Sequence, residues 1–147
     1  MKAAATLRER AMRLLVRREH SRTELRRKLA PHAESAEALD TLLAALVEEK
    51  LLSDARFAEG RARVLSRKYG AARIEHDLRA KGVSDDDAAA AAREARGTEF
   101  ERALEAWRRK FGVPAKDVRE KGRQARFLAS RGFSGEVVSK VLRHEEE

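Results

Sequence analysis

The chain contains no cysteine. That removes disulfides, thiolate nucleophiles and cysteine-ligated zinc from its chemistry, and is compatible with a reducing compartment. Proline occurs only at Pro31 and Pro114, so most of the backbone is free to be helical. Aromatic residues make up 5% of the sequence, a content that suits thin helical layers better than one thick globular core. No stretch approaches the roughly 18 apolar residues of a membrane span, and no continuous apolar signal core follows the first residues. The expectation is a cytoplasmic protein with no membrane contact. The four histidines, His20, His32, His76 and His144, share no metal-ligand spacing. No GxxxxGK(S/T) phosphate loop occurs, and no nucleophile, base and orienting group fall into a set. The reading is a non-enzyme with no metal and no cofactor.

Charge, by contrast, is abundant. Lys and Arg number 33 against 25 Asp and Glu, a formal net charge of +8, and the surplus creates a field that attracts phosphates or an acidic protein surface. Apolar residues recur at helical spacing: Leu7, Ala11, Leu14 and Leu15 share one face, and Leu39, Leu42, Leu43, Leu46 and Val47 another. Between them Ser21 reads as an N-cap with Glu24 completing a capping box, and Pro31 stops the helix that carries Leu25 and Leu29.

The same alternation continues along the chain. Ser53 caps a helix whose stripe runs through Ala58, Ala62, Leu65 and Tyr69 to a break at Gly70. Ile74 and Leu78 lie on the next helix, which ends near Gly82, and Ser84 caps a helix opening on Asp85 to Asp87, where negative charge complements the helix dipole. Phe100, Ala103, Leu104, Trp107 and Phe111 form a further stripe, broken at Gly112 to Pro114. A helix from about Asp117 to Arg131 ends at Gly132. Ser134 then caps the last stripe, Val137, Val138, Val141 and Leu142, before the acidic tail Glu145 to Glu147.

Leu25 to Leu29, Leu78 to Gly82 and Leu128 to Gly132 each place a leucine three residues before a cation and four before a helix end. A spacing of roughly fifty residues fits repeat architecture. The expected fold is all-α: three tandem three-helix repeats, residues 1–51, 52–97 and 98–147, in an elongated, curved array.

From about Ala11 to Leu142 the chain resembles the RecX regulatory proteins. The resemblance rests on Arg18 to Leu29, Leu52 to Ala58, Lys68 to Val83 and Arg126 to Ser134, in that order, each at the same point of a three-helix unit. It implies a monomeric, non-enzymatic regulator whose partners are the RecA filament, single-stranded DNA and, through the filament, duplex DNA. It further implies inhibition of RecA's ATPase, recombinase and strand-exchange activities, with binding along the filament and capping of its ends both open.

The candidate contact residues are cations: Arg22, Arg26, Arg27 and Lys28 in repeat one, Arg67, Lys68, Arg73, Arg79 and Lys81 in repeat two, and Arg108, Arg109, Lys110, Arg123, Arg126 and Arg131 in repeat three. Arginine suits bidentate contact with carboxylates and phosphates. Single cations also serve as solvated surface; Glu24 with Lys28 and Asp77 with Lys81 are spaced for intrahelical pairs. Only a cluster is informative. Tyr69, Trp107 and Phe111 lie on apolar stripes and are assigned to packing, so any DNA contact falls on the backbone and depends on salt. The alternative is a DNA-binding transcription regulator reading a duplex through Arg73 to Gly82 and Ser84 to Arg96, although Ala88 to Ala92 offers nothing to read base edges.

Overall fold

The computed structural model describes residues 4–146. Among the described residues the chain is all-helical: α1 (Leu7–Arg17), α2 (Arg22–Leu29) continued by a 3-10 turn (Ala30–His32), α3 (Ala36–Glu48), α4 (Asp54–Leu65), α5 (Ala71–Ala80), α6 (Asp85–Gly97), α7 (Glu99–Lys110), α8 (Val118–Ser130) and α9 (Gly135–Glu146). The acidic tail lies outside the residues whose side chains are described. Thr6, Ser21, Ser35, Ser53, Ser84 and Asp117 each accept the backbone N–H three residues on, and Ser134 does the same for Val137. Each cap satisfies a donor the helix cannot satisfy itself.

Three apolar cores form, one per helix triplet. The first gathers Ala11, Leu25, Leu29, Leu39, Leu43, Leu46 and Leu52. The second is built on Phe57, Ile74, Leu78, Val83 and six buried alanines of α4 to α6. The third contains Leu104, Trp107, Leu128, Phe133, Val138, Val141 and Leu142. Each buried Leu or Phe contributes roughly 1.5–3 kcal/mol of transfer free energy. Ala11, Ala58 and Ala103, each five residues beyond the N-cap of its triplet's first helix, are fully buried. A methyl there lets the other two helices close in.

Ser35, Ser84 and Ser134 begin the third helices, and the buried Leu29, Leu78 and Leu128 stand six residues before them. The counterpart of Leu78 is therefore Leu29, and the sequence-based pairing with Leu25 is out by one helical turn. The cause is local. Where α5 and α8 stop at Gly82 and Gly132 with φ of 86° and 87°, α2 runs on into the turn containing Pro31. Two other expectations need adjustment. Helix α4 ends at Leu65, before Tyr69, because the carbonyls of Ser66 and Tyr69 accept from Arg102 instead of continuing the ladder. The Ser21 to Glu24 capping box is half made: Ser21 receives the Glu24 N–H, but the Glu24 carboxylate turns to Arg18, with contacts of 3.0 and 2.6 Å.

The triplets join by a recurring contact. The amino-terminal turn of one second helix abuts the carboxyl-terminal turn of the next triplet's second helix. At the first junction Ser21 Oγ donates to the Lys81 carbonyl at 3.0 Å, and a Cβ at Gly82 would lie 2.2 Å from Thr23 Oγ1. At the second, Gly70 N donates to the Arg131 carbonyl at 2.8 Å; a Cβ at Gly70 would lie 2.3 Å from the Gly132 oxygen, and one at Gly132 2.3 Å from Arg73 Cβ. Glycine is required because Gly70 meets backbone, Gly132 the Cβ and backbone of Arg73, and Gly82 the Thr23 side chain at its root, none of which leaves room for a Cβ.

Gly70→Ala is expected to lower stability by about 3 kcal/mol, the upper part of the range for overpacking, since neither carbonyl nor peptide can move aside. Gly97→Ala, whose Cβ meets nothing within 4 Å, is expected to raise it by about 0.5–1 kcal/mol. Urea midpoints at equal m-value distinguish the two.

The hydrogen bond from Arg18, against the opposing effect of burial, draws the Glu24 carboxyl from 4.5 down to about 2. With the folded-state value below the unfolded one, the stabilisation is complete above about pH 4.5 and disappears as pH falls through about 2. Arg18 is half exposed, so solvent reduces the pair's contribution to about 1 kcal/mol. Glu24→Gln is expected to be less stable than the parent by that amount at neutral pH, with the gap closing between pH 4.5 and 2 in a pH series of chemical denaturation.

Candidate partner and nucleic-acid interface

Gly70 caps α5 without a side chain, so the first amides of that helix need a partner from elsewhere. Glu99, at the start of α7 and only 6% exposed, supplies it, accepting from Ala71 N at 2.7 Å. One turn along α7, Arg102 faces the opposite helix ends. Its guanidinium donates to the carbonyls of Ser66 (2.7 Å), Tyr69 (2.6 Å) and Ala95 (2.6 Å). Burial lowers the Arg102 pKa, with the Glu99 charge acting in the opposite sense. An acid thus sits at a helix amino terminus and a base at carboxyl termini, the arrangement the helix dipoles favour. Through these two residues α7 clamps the third triplet to the second.

The clamp forms the floor of a cleft of about 530 Å³ between the two triplets. Arg67 and Lys68 follow α4, Arg109 and Lys110 end α7, and Arg131 ends α8; with Arg102 they face Glu101 and Glu105 across a surface containing Phe127 and Phe133. Six cations meet two carboxylates. Arg109 donates to Glu105 at 3.0 Å. Most of the others are held by rings: Arg131 lies 4.6 Å and Lys110 5.7 Å from the Phe127 centroid, and Lys68 5.6 Å from that of Tyr69. Each such contact contributes about 0.5–1 kcal/mol at an exposed site. A ring positions a cation without cancelling its charge, so the cleft keeps its positive field and can accept phosphate or carboxylate oxygens.

Five of the fifteen candidate cations therefore share one surface: Arg67, Lys68, Arg109, Lys110 and Arg131. The remaining ten do not. Arg26 pairs with Asp40, Lys28 sits 4.0 Å from Glu24 and 3.0 Å from His20 Nε2, Arg79 reaches Glu75 and Asp85, and Lys81 reaches Asp77 at 3.1 Å. Hydrogen bonds from Arg61 and Lys81 hold the Asp77 carboxyl below its usual range, although burial, the largest single influence, pushes the other way. Arg73 stacks on Tyr69 at 4.1 Å and donates to the Ser130 carbonyl at 2.7 Å, serving the second junction. Arg22 gives its backbone N–H to Asp54 at 2.7 Å. Arg27, Arg108, Arg123 and Arg126 are exposed outside the cleft.

Of the three aromatics assigned to packing, Trp107 is 1% exposed and donates Nε1–H to Gln124 Oε1 at 2.9 Å. Phe111 is half-buried edge-on to Phe127, and Tyr69 half-buried beneath Arg73. Glu99 and Arg102 escaped the sequence reading because an i, i+3 acid and base resemble a solvated pair. The usable signal was Gly70, a helix start unable to cap itself. On the α5–α6 pair, Ala88, Ala92 and Ala95 are buried in the core and Arg79 is engaged by carboxylates. Among the described residues no group of histidines and carboxylates suited to a metal occurs, and no helix is long and apolar enough to cross a membrane.

Comparison with known proteins follows the same lines. Residues 53–91 match the family model described as RecX, second three-helix domain, and residues 98–142 the one described as RecX, third three-helix domain. The regulatory protein RecX of Leptothrix cholodnii is 46% identical over 138 residues, 94% of this chain and 88% of that one. That of Neisseria meningitidis serogroup C is 44% identical over 144 residues, 98% of this chain and 94% of its relative. In three dimensions the crystal structure of RecX from Lactobacillus salivarius superposes with a TM-score of 0.81 at 18% identity, covering 95% of this chain and 94% of the other. With the fold shared at low identity and the sequence shared over nearly its whole length, this chain belongs to the RecX family of regulatory proteins.

Proposed function

We propose that this protein binds the RecA filament on single-stranded DNA and restrains its ATPase, recombinase and strand-exchange activities, without catalysing a reaction of its own. The observation that supports the reading most is the near-full-length likeness to proteins named regulatory protein RecX. The cleft adds a physical means: ring-held cations of two triplets present uncancelled charge on one surface. Units bounded at 1–51, 52–97 and 98–147 serve as successive contact modules, so that one chain touches neighbouring filament subunits and the DNA they hold. Bridging neighbours opposes the subunit movements that accompany ATP hydrolysis. The chain acts as a monomer in the cytoplasm, needs no cofactor, and meets duplex DNA through the filament.

The cleft cations Lys68, Lys110 and Arg131 are the better targets for charge reversal than Arg26, Lys28, Arg79 and Lys81, because the latter each contact a carboxylate whose own fold contacts would be disturbed. RecA-catalysed ATP hydrolysis on single-stranded DNA is expected to fall saturably as the protein is titrated in, with no hydrolysis in its absence of RecA. Replacing Lys68, Lys110 and Arg131 together by Glu is expected to raise the concentration for half-maximal effect on the order of tenfold or more at fixed salt, as loss of several anion contacts does. An unchanged titration by a folded variant removes the cleft from the interface; absence of any effect by the parent protein overturns the RecA reading itself.

A further inference from the structure

The carboxyl-terminal turns of α5 and α8 are covered by a neighbouring triplet, through the Lys81 and Arg131 carbonyls. The corresponding end of α2 is open: Ala30, Pro31 and His32 are all exposed. Beside it, α1 and α2 enclose a groove of about 370 Å³. Arg10, Arg13 and Arg17 line one wall, Lys28 and His32 the other, and Leu14 and Leu29 the floor. Four other surface clefts each carry at least one Asp or Glu; this one carries none.

The three arginines recur at i, i+3 and i+7, a row about 10 Å long at 1.5 Å per residue. Carboxylate partners are within reach of this helix, since Arg8 pairs with Glu49 at 2.9 Å and Arg18 with Glu24. No ion pair engages Arg10, Arg13 or Arg17 among the described residues. Helix-end electrostatics accounts for Arg17, in the last turn of α1, but not for Arg10 and Arg13. The carboxyl terminus of α2 carries about half a negative charge, which Arg26, Arg27 and Lys28 in its own last turn already offset. Three guanidinium groups stand in a row with no carboxylate paired to them among the described residues.

We propose that this groove is a binding site for the phosphodiester backbone of a nucleic-acid strand, separate from the cleft between the second and third triplets. Guanidinium forks engage phosphate oxygens two at a time, and a row of about 10 Å spans the rise of some three nucleotides at 3.4 Å each. The lining contains no Phe, Tyr or Trp on which a base could stack, and its one ring is the His32 imidazole, so the contact is to backbone and indifferent to sequence. An acidic peptide is the competing anion, and the choice of phosphate rests on the arginine row.

The test needs no RecA and so stands or falls independently of the function proposed above. Binding of labelled oligothymidylate is followed by anisotropy over a series of salt concentrations, for the parent and for the triple variant Arg10→Ala, Arg13→Ala, Arg17→Ala. Alanine keeps α1 helical, which circular dichroism verifies; the single variant Arg13→Glu serves should the triple variant lose helicity. Loss of three contacts is expected to reduce the slope of log K against log salt by about 2, at about 0.7 per phosphate of a single strand. Arg8→Ala, on the same helix but paired with Glu49, is expected to leave the slope unchanged. The same loss on duplex DNA extends the site to either form of backbone. A slope unaltered in the arginine variants overturns the proposal, as does polyglutamate competing as well as polyphosphate at equal charge.

Discussion

Everything in this molecule depends on the close approach of one helix end to another. The amino-terminal turn of α2 meets the carboxyl-terminal turn of α5, and that of α5 meets α8, at distances where a Cβ on Gly70, Gly82 or Gly132 would fall within 2.3 Å of the opposing chain. Donors left over at one helix start meet acceptors left over at another helix end. The same contact made twice turns three small cores, none of them large, into one array. Ala33, at φ −86°, occupies the position equivalent to Gly82 and Gly132, so the end of α2 cannot receive a further triplet in this way.

The two junctions use different chemistry around that shared contact. At the second, Glu99 and Arg102 reach from α7 into the preceding triplet and are largely withdrawn from water, where a hydrogen bond to a charged group is worth more than at the surface. At the first, the charged contacts are exposed: Arg56 pairs with Glu19 at 2.9 Å, and the Arg22 backbone N–H donates to the Asp54 carboxylate. Exposed pairs are weak and screened by salt. The second and third triplets are accordingly the more firmly joined pair, and the cleft that collects the ring-held cations lies between them.

Much of the fold could be read from the residues. Ser53, Ser84 and Ser134 begin helices as their hydroxyls suggest, Gly82 and Gly132 take the left-handed conformation, and the stripes through Leu39 to Leu46 and Phe100 to Trp107 face cores. These features are local, set by capping groups, chirality and apolar spacing within one or two turns. The register of the first repeat was misplaced by a turn because Pro31 ends an α-helix in sequence terms yet is accommodated in a 3-10 turn in space. The end of α4 was misplaced because the carbonyls just beyond it, those of Ser66 and Tyr69, are taken by Arg102, distant in sequence.

The site divides along the same line. Composition and charge sufficed to mark the chain as helical and strongly cationic, because net charge and residue type do not depend on where the chain goes. Which cations act together was decided by tertiary structure alone. Lys81 and Arg131 follow their leucines at the same spacing, yet one is held by Asp77 and the other lies on Phe127 with its charge intact. Whether a charge is cancelled depends on its neighbours in space, and those neighbours come from other helices. The sequence by itself determined the helices, their caps and the excess of positive charge; the packing of triplet on triplet decided where that charge remains available.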